Sequence, residues 1–391
     1  MFCMEDQTLI MFSRRHPIME NELPENIILD VLSRLPVKTI IRFKCVCKKW
    51  RDLVSDPYFV HLHHSRSRPC LIFQECIYGD AIVELLEVEH EVDYHSLTLN
   101  HVKTLDLSAV RTHTPYWIIQ VGSVNGLICL RRKRDATYIF NPVLQEYMII
   151  HQPSDRFLTN GFGVSMAGEY KVIRIRGWRK SKYLENRVTL ELEVYTLGKV
   201  QWRSLGQTPY NINYTRKLDP GVSVNSHVYW IADAQIYDFD LDTETFVLVP
   251  SPPGPQDDQE SKQMLGVLKG SLSLFSWCSL GGFEVWVMKE SWYKAIAIQE
   301  NINPVLKTPK WKPLFLIDGS KGTSILILSA DKLDRENLVA YCLNTNKFLD
   351  LNLPGNCFAR MTTYRPSLVK LQNFGSERVH SFYSNDRPLC E

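Results

Sequence analysis

The chain has no uninterrupted apolar stretch approaching the ~18 residues that a membrane-crossing helix needs. Its longest clean run is about Ser324 to Ala330, which excludes a transmembrane helix and leaves no membrane partner to expect. Net charge is also nearly absent. Forty-five basic residues against 43 acidic ones give a formal +2, so no global field draws the chain to nucleic acid or to an anionic surface. Met1 to Phe12 carries Glu5 and Asp6 and lacks the basic start and longer apolar core of a secretory signal. The ten cysteines, at 3, 45, 47, 70, 76, 129, 278, 342, 357 and 390, include no Cys-x-x-Cys pair. Reduced thiols used as small apolar residues are expected, in cytoplasm and/or nucleus.

Catalytic signatures are missing too. There is no glycine-rich phosphate loop, no His-Glu-x-x-His and no Gly-x-Ser-x-Gly. Gly161-Phe162-Gly163 falls short of a dinucleotide fingerprint. His61, His63, His64, Cys70 and Cys76 fit no standard zinc spacing. Asp240 with Asp242, and Asp257 with Asp258, lie where turns use aspartate anyway. No catalytic residue, metal or cofactor is expected, and the chain is read as a non-enzyme.

What is present is the balance of a globular protein, 45% apolar and 23% charged. Residues 21 to 60 carry helical patterning. Pro24 suits a helix start, and Ile27, Ile28, Val31, Leu32 and Leu35 follow at the 3.6-residue period as one apolar face. Pro36 ends that helix and opens a second with Ile40, Ile41 and Phe43. A third holds Val46, Trp50, Leu53 and Val54, closed by Ser55-Asp56-Pro57. Three short helices bury little by themselves, so a partner or the following domain must complete them. Arg34, Lys38, Arg42, Lys44, Lys48, Lys49 and Arg51 make this module basic with no intervening acid. It reads either as a solvated face or as a surface steered to an acidic partner.

From about Pro69 the pattern turns to short strands. A weak repeat recurs in which a strand ends in a turn and an aromatic residue opens the return strand. It runs from Ile139-Phe140-Asn141 to Tyr147, from Val194-Tyr195-Thr196 to Trp202, and from Tyr237-Asp238-Phe239-Asp240 to Phe246. It continues from Val285-Trp286-Val287-Met288 to Trp292-Tyr293, and from Val339-Ala340-Tyr341 to Phe348. Successive units lie roughly 45 to 55 residues apart, the spacing of four-stranded propeller blades. The expectation is α+β and multidomain: a short three-helix module, then a large all-β, propeller-like domain of about six blades. Residues 1–19 are expected to be a flexible extension, dispensable because Met19 offers a second start. The helical module is set at 20–65, the β domain at 66–373 and a polar tail at 374–391.

Leu23-Pro24-Glu25 with Ile28, Leu32-Ser33-Arg34-Leu35-Pro36-Val37-Lys38, and Arg42-Phe43-Lys44-Cys45-Val46-Cys47-Lys48-Lys49-Trp50 resemble a plant F-box. Cys47 stands where that family often has serine. The remainder resembles the F-box-associated, kelch-like interaction domain. Its signposts include Val124-Asn125-Gly126-Leu127, Phe140-Asn141-Pro142, Tyr170-Lys171-Val172 and Val228-Tyr229-Trp230. Pollen S-locus F-box proteins share this layout.

The resemblance implies a substrate-recognition subunit of a Skp–cullin–F-box ubiquitin ligase. The F-box would dock a Skp-type adaptor, acidic in this family, and through it a cullin. Leu23, Pro24, Ile28, Leu35, Pro36, Val46, Lys48 and Trp50 are the expected adaptor-binding residues. In any three-helix module about half the apolar ones pack on each other instead. The β domain would hold an unknown protein target at one mouth, with Trp178, Tyr183, Tyr210 and Tyr214 as candidate contacts on longer connections. Arg131-Arg132-Lys133-Arg134 reads better as a hairpin turn than as a phosphate or import site. Arg174 and Arg176 read as strand alternation rather than a nucleic-acid face. Two rivals stand beside this reading: a non-degradative F-box scaffold, and a propeller glycan-binding protein or enzyme with a helical cap.

Overall fold

A computed structural model describes residues 23–77, 80–89, 98–106, 118–132, 136–151, 158–179, 188–208, 210, 219–253, 262–278, 282–299, 310–319, 322–330, 336–351, 360–375 and 377–381. The expected extension at 1–19 lies outside them.

Helix α1 (Glu25–Ser33) starts after extended Pro24, whose carbonyl accepts Ile27 N–H at 2.9 Å. Pro36 separates it from α2 (Val37–Phe43), and α3 (Lys48–Leu53) follows. Three helices were expected, and the chain forms a fourth, α4 (Pro57–Arg66). The triplet Ser55-Asp56-Pro57, read as a stop, is also a start. The Asp56 carboxylate accepts Tyr58 N–H at 2.8 Å and Phe59 N–H at 3.3 Å, and Pro57 sits where a missing N–H costs nothing.

After α4 the chain builds six antiparallel sheets. Blade 1 contains β1 (Cys70–Ile77), β2 (Asp80–Glu89) and β3 (Thr98–Asp106). Blade 2 contains β4 (Ile118–Val124), β5 (Leu127–Arg132), β6 (Ala136–Asn141) and β7 (Glu146–His151). Blade 3 contains β8 (Thr159–Val164), β9 (Tyr170–Arg179), β10 (Val188–Thr196) and β11 (Trp202–Gln207). Blade 4 contains β12 (Val222–Val224), β13 (His227–Ala232), β14 (Gln235–Asp240) and β15 (Phe246–Val249). Blade 5 contains β16 (Lys262–Leu268), β17 (Ser271–Cys278), β18 (Gly282–Met288) and β19 (Trp292–Gln299). Blade 6 contains β20 (Lys310–Gly319), β21 (Gly322–Ala330), β22 (Glu336–Cys342) and β23 (Lys347–Asp350). Next, β24 (Arg360–Tyr364) pairs with β1 and supplies the missing inner strand of blade 1, so the two ends of the domain close one ring. The inner strands β4, β8, β12, β16, β20 and β24 touch in sequence around it. This is a six-bladed propeller.

The aromatic repeat is the hairpin between the third and fourth strands of blades 2 to 6. Phe140 pairs with Tyr147, Tyr195 with Trp202, Phe239 with Phe246, Met288 with Trp292 and Tyr341 with Phe348. Two of these cross-strand pairs bring ring centroids to 5.4 and 4.5 Å, the packing that stabilises strand pairs. Apolar side chains then fill the space between neighbouring blades, as Ile173 and Ile175 do with Trp230 and Phe239.

The C-terminus departs from the expected polar tail. Leu371–Phe374 forms a 3₁₀ turn with Leu371 buried, and β25 (Val379–Ser381) adds a fifth strand to blade 2 beside β7. An open strand edge is a ready partner for any extended segment, whatever its polarity. Residues 382–391 lie outside the described residues.

Candidate docking faces

Because each blade is a four-stranded antiparallel meander, its turns alternate between the two ends of the ring. Gly221 N–H donates to Asn160 O at 2.7 Å, tying the starts of β12 and β8 at one end. At the other end Lys171 Nζ reaches Leu241 O at 2.7 Å, and the Asp242 carboxylate accepts Met166 N–H at 2.9 Å. The helices enter at this second end, since Cys70 pairs with Tyr364 at the finish of an inner strand. Tight turns crowd there: Asn125-Gly126 and Lys269-Gly270 have positive φ at both residues, the conformation of two-residue hairpin loops. Most of the longer connections, at 107–117, 152–158, 180–187, 208–221, 250–261, 300–309 and 351–359, join strand ends at the opposite mouth, whereas 90–97 joins β2 to β3 at the helix end.

The helices have two sides. Leu32, Ile40, Val54 and Phe59 are buried in one cluster with Ile72, Leu85, Ile128, Tyr138 and Phe140 of blades 1 and 2, and Ile28 and Leu35 pack against it. The propeller thus completes the helical core. On the other side Leu23 and Val46 are each 63% exposed, Val31 51% and Ile27 44%. The apolar face of α1 is therefore double. Positions 28, 32 and 35 turn inward, while 27 and 31, one helical turn apart, turn outward in register with Leu23. Burying such exposed aliphatic side chains is worth ~1.5–3 kcal/mol for each complete one, and nothing among the described residues covers them.

Of the expected adaptor residues, Leu23, Pro24, Pro36, Val46 and Lys48 are exposed. Trp50 is half-buried with its ring edge-on to Phe43 at 4.8 Å, and Ile28 and Leu35 are half-buried against the core. Sequence reasoning passed over Ile27 and Val31 as docking residues, although their i, i+4 spacing from Leu23 was available. Lys38, Arg42, Lys48, Lys49 and Arg51 are exposed around the same helices. Arg34 is spoken for by Asp30 at 3.0 Å, which Arg66 of α4 also contacts at 2.7 Å. The hydrogen bond from Arg34 first, and then that from Arg66, holds the Asp30 carboxyl below its usual range. Lys44 is half-buried, and burial lowers its ammonium.

At the far mouth only one aromatic candidate is described with its side chain. Tyr210 is half-buried on blade 4, 5.7 Å from the Tyr237 ring, and its hydroxyl accepts Leu248 N–H at 3.2 Å. Tyr183 and Tyr214 lie outside the described residues, as does the side chain of Trp178 in β9. Two described residues of the basic clusters, Arg131 and Arg174, are buried. Arg131 is buried and donates to Asn160 Oδ1 at 3.4 Å, on a strand that pairs in a β5–β6 hairpin as expected. Arg174 is fully buried, paired with Glu193 directly across the strands and stacked 4.1 Å from the Trp202 ring. Glu193 also accepts from Arg176 at 2.7 Å. Alternation alone does not explain Arg174, because both faces of β9 are covered by neighbouring blades.

Asp240 spends its carboxylate on the turn, accepting Asp242 N–H at 2.8 Å. Among the described residues no group of three or more His, Cys, Asp or Glu is arranged to hold a metal ion. Among them, too, no helix is long and apolar enough to cross a membrane.

Four helices with an unsatisfied apolar face, seated on a six-bladed propeller, define an F-box protein with a propeller interaction domain. The F-box domain matches residues 21–62 and the F-box associated beta propeller domain residues 82–371, so the chain belongs to the F-box associated propeller family. Relatives agree. An F-box protein of Arabidopsis thaliana is 27% identical over 380 residues, covering 85% of this chain and 88% of the relative. An F-box/kelch-repeat protein of the same plant is 28% identical over 342 residues, covering 81% and 87%. The Arabidopsis protein SUPPRESSOR OF NIM1 1 is 25% identical over 384 residues, covering 90% and 99%. An F-box implies docking to a Skp-type adaptor, and the propeller beside it implies a protein target.

Proposed function

We propose that this chain is the substrate-recognition subunit of a Skp–cullin–F-box ubiquitin ligase, acting in cytoplasm and/or nucleus. The single observation that carries the reading is the outward apolar face of Leu23, Ile27, Val31 and Val46, ringed by exposed bases and left uncovered by the propeller. A Skp-type adaptor with acidic flanks would cover it, with Pro24, Pro36, Lys48 and Trp50 at its margin, and would bring the cullin. The target would sit at the mouth opposite the F-box, where the longer connections gather and Trp178, Tyr183 and Tyr214 fall by sequence. Loops on a rigid ring can vary in shape without disturbing the fold. Ubiquitin transfer would then occur on other subunits, this chain supplying proximity rather than chemistry, with no nucleic acid involved.

The test is binding of the purified full chain to a Skp-type adaptor, with Leu23→Ala/Pro24→Ala and Trp50→Ala as variants and circular dichroism as the folding control. Tight binding lost in a still-folded double variant supports the reading. A folded wild-type chain that does not bind refutes it and favours the propeller with a helical cap.

A further inference from the structure

The segment that follows β24 runs from α4 across blade 2 to blade 3. At its start it meets α4: Arg365 Nη1 donates to Ser65 O at 2.9 Å, and Pro366 O accepts from His64 Nδ1 and Ser67 Oγ, both at 3.1 Å. In its middle Asn141 Nδ2 of blade 2 donates to Ser367 O at 3.2 Å and Val369 O at 2.7 Å. The approach is so close that a Cβ on Gly126, itself at φ +78°, would lie 2.1 Å from the Ser367 Cβ. Leu368 is buried in the same apolar cluster as Leu32, Ile40 and Phe59 of the helices. Leu371 is buried in a different one, between blades 2 and 3.

The far end is held as firmly. Leu371 N–H donates to Glu146 Oε2 at 3.2 Å, and Phe374 packs edge-on to Tyr170 at 5.0 Å. Glu377 Oε1 accepts Gly198 N–H at 2.7 Å and the Tyr195 hydroxyl at 3.0 Å. Gly198 is at φ +88°, and a Cβ there would come within 2.5 Å of Phe374 O. The ring is already closed at Tyr364, so none of these contacts is needed to complete blade 1.

We propose that residues 365–375 with Glu377 form a splint, pinned to α4 at one end and to blades 2 and 3 at the other, that holds the F-box at one angle to the propeller. The competing account is that apolar contact between the helices and blades 1 and 2 suffices, with the segment merely lying over it. Under the function proposed above, the splint fixes the span from bound adaptor to captured target. The structural claim stands or falls separately from that function.

The test loosens the far pin and reads the near one. Amide hydrogen exchange is followed in the full chain carrying Leu371→Asp, and separately Gly198→Ala, neither of which touches a helix. The splint predicts that the α4 amides exchange roughly tenfold faster while those of β13, β14 and β17 keep wild-type rates. Faster exchange confined to 371–381, with α4 unchanged, overturns it. Should Leu371→Asp also loosen blades 4 and 5, the milder Gly198→Ala decides by the same comparison. Adaptor binding is measured on the same samples. A wild-type chain that fails to bind would refute the ligase reading and leave the exchange result standing.

Discussion

The division of α1 into two apolar sides predicts two substitutions with opposite consequences. Ile27 and Val31 are about half exposed, so truncating both to alanine removes little buried area from the folded chain. Alanine is also the better helix former, so stability should hold. If an adaptor covers that side, each side chain forfeits the half not already buried, ~0.75–1.5 kcal/mol. Together that is ~1.5–3 kcal/mol, or a roughly 10- to 150-fold weaker Kd. Leu32, one residue further along the same helix, is 4% exposed. Leu32→Ala should cost ~2–5 kcal/mol of folding stability through its cavity and leave the affinity of the folded fraction unchanged. Titration calorimetry against the purified adaptor, alongside thermal melts by circular dichroism, separates the two. Affinity within twofold of wild type for folded Ile27→Ala/Val31→Ala would refute the assignment of the outward side.

Glu193 compensates the buried Arg174 and the half-buried Arg176. We predict that Glu193→Gln costs ~3–5 kcal/mol in urea unfolding, because a buried guanidinium loses its counter-charge; a loss below about 1 kcal/mol would show that Trp202 and relaxation suffice. Burial lowers the His63 and His64 imidazoles, partly opposed by the carbonyls of Leu35 and Pro366. A lowered folded-state value means the unfolded chain binds protons first. The stability is therefore complete above the unfolded pKa of ~6.5 and is lost as pH falls below it. The unfolding midpoint should drop between pH 7.5 and 5.5, with a shallower slope in His63→Asn; parallel slopes would count against these groups. Val200 is exposed with φ 54°, which penalises a β-branched residue by ~1–2 kcal/mol. Val200→Gly should raise the melting midpoint by about a degree or two despite glycine's unfolded-state entropy. A lower midpoint would mean that the turn is not strained.

The sequence by itself determined what depends on near neighbours. The 3.6-residue spacing from Ile27 to Leu35 made a helix, and the aromatic hairpins such as Tyr195 with Trp202 repeated at blade spacing. The handover near residue 65 followed from the change of period. Local rules also contained α4, in the Asp56-Pro57 cap, which was read only as a stop. Tertiary structure decided the rest, because a side chain's role depends on what lies opposite it. Ile27 and Leu32 are equally apolar in sequence; only the seat of α1 on blades 1 and 2 turns one to water and the other to the core. Arg174 looks like a surface base until Glu193 arrives across the strands and blade 2 closes over it. The residues after Phe374 look like a polar tail, yet Glu377 and β25 find donors on blades 2 and 3 that are far away along the chain. Antiparallel pairing, repeated blade after blade, gathered most of the long connections at the mouth away from the helices. No window of sequence carries that fact, since it depends on strand direction summed around a closed ring.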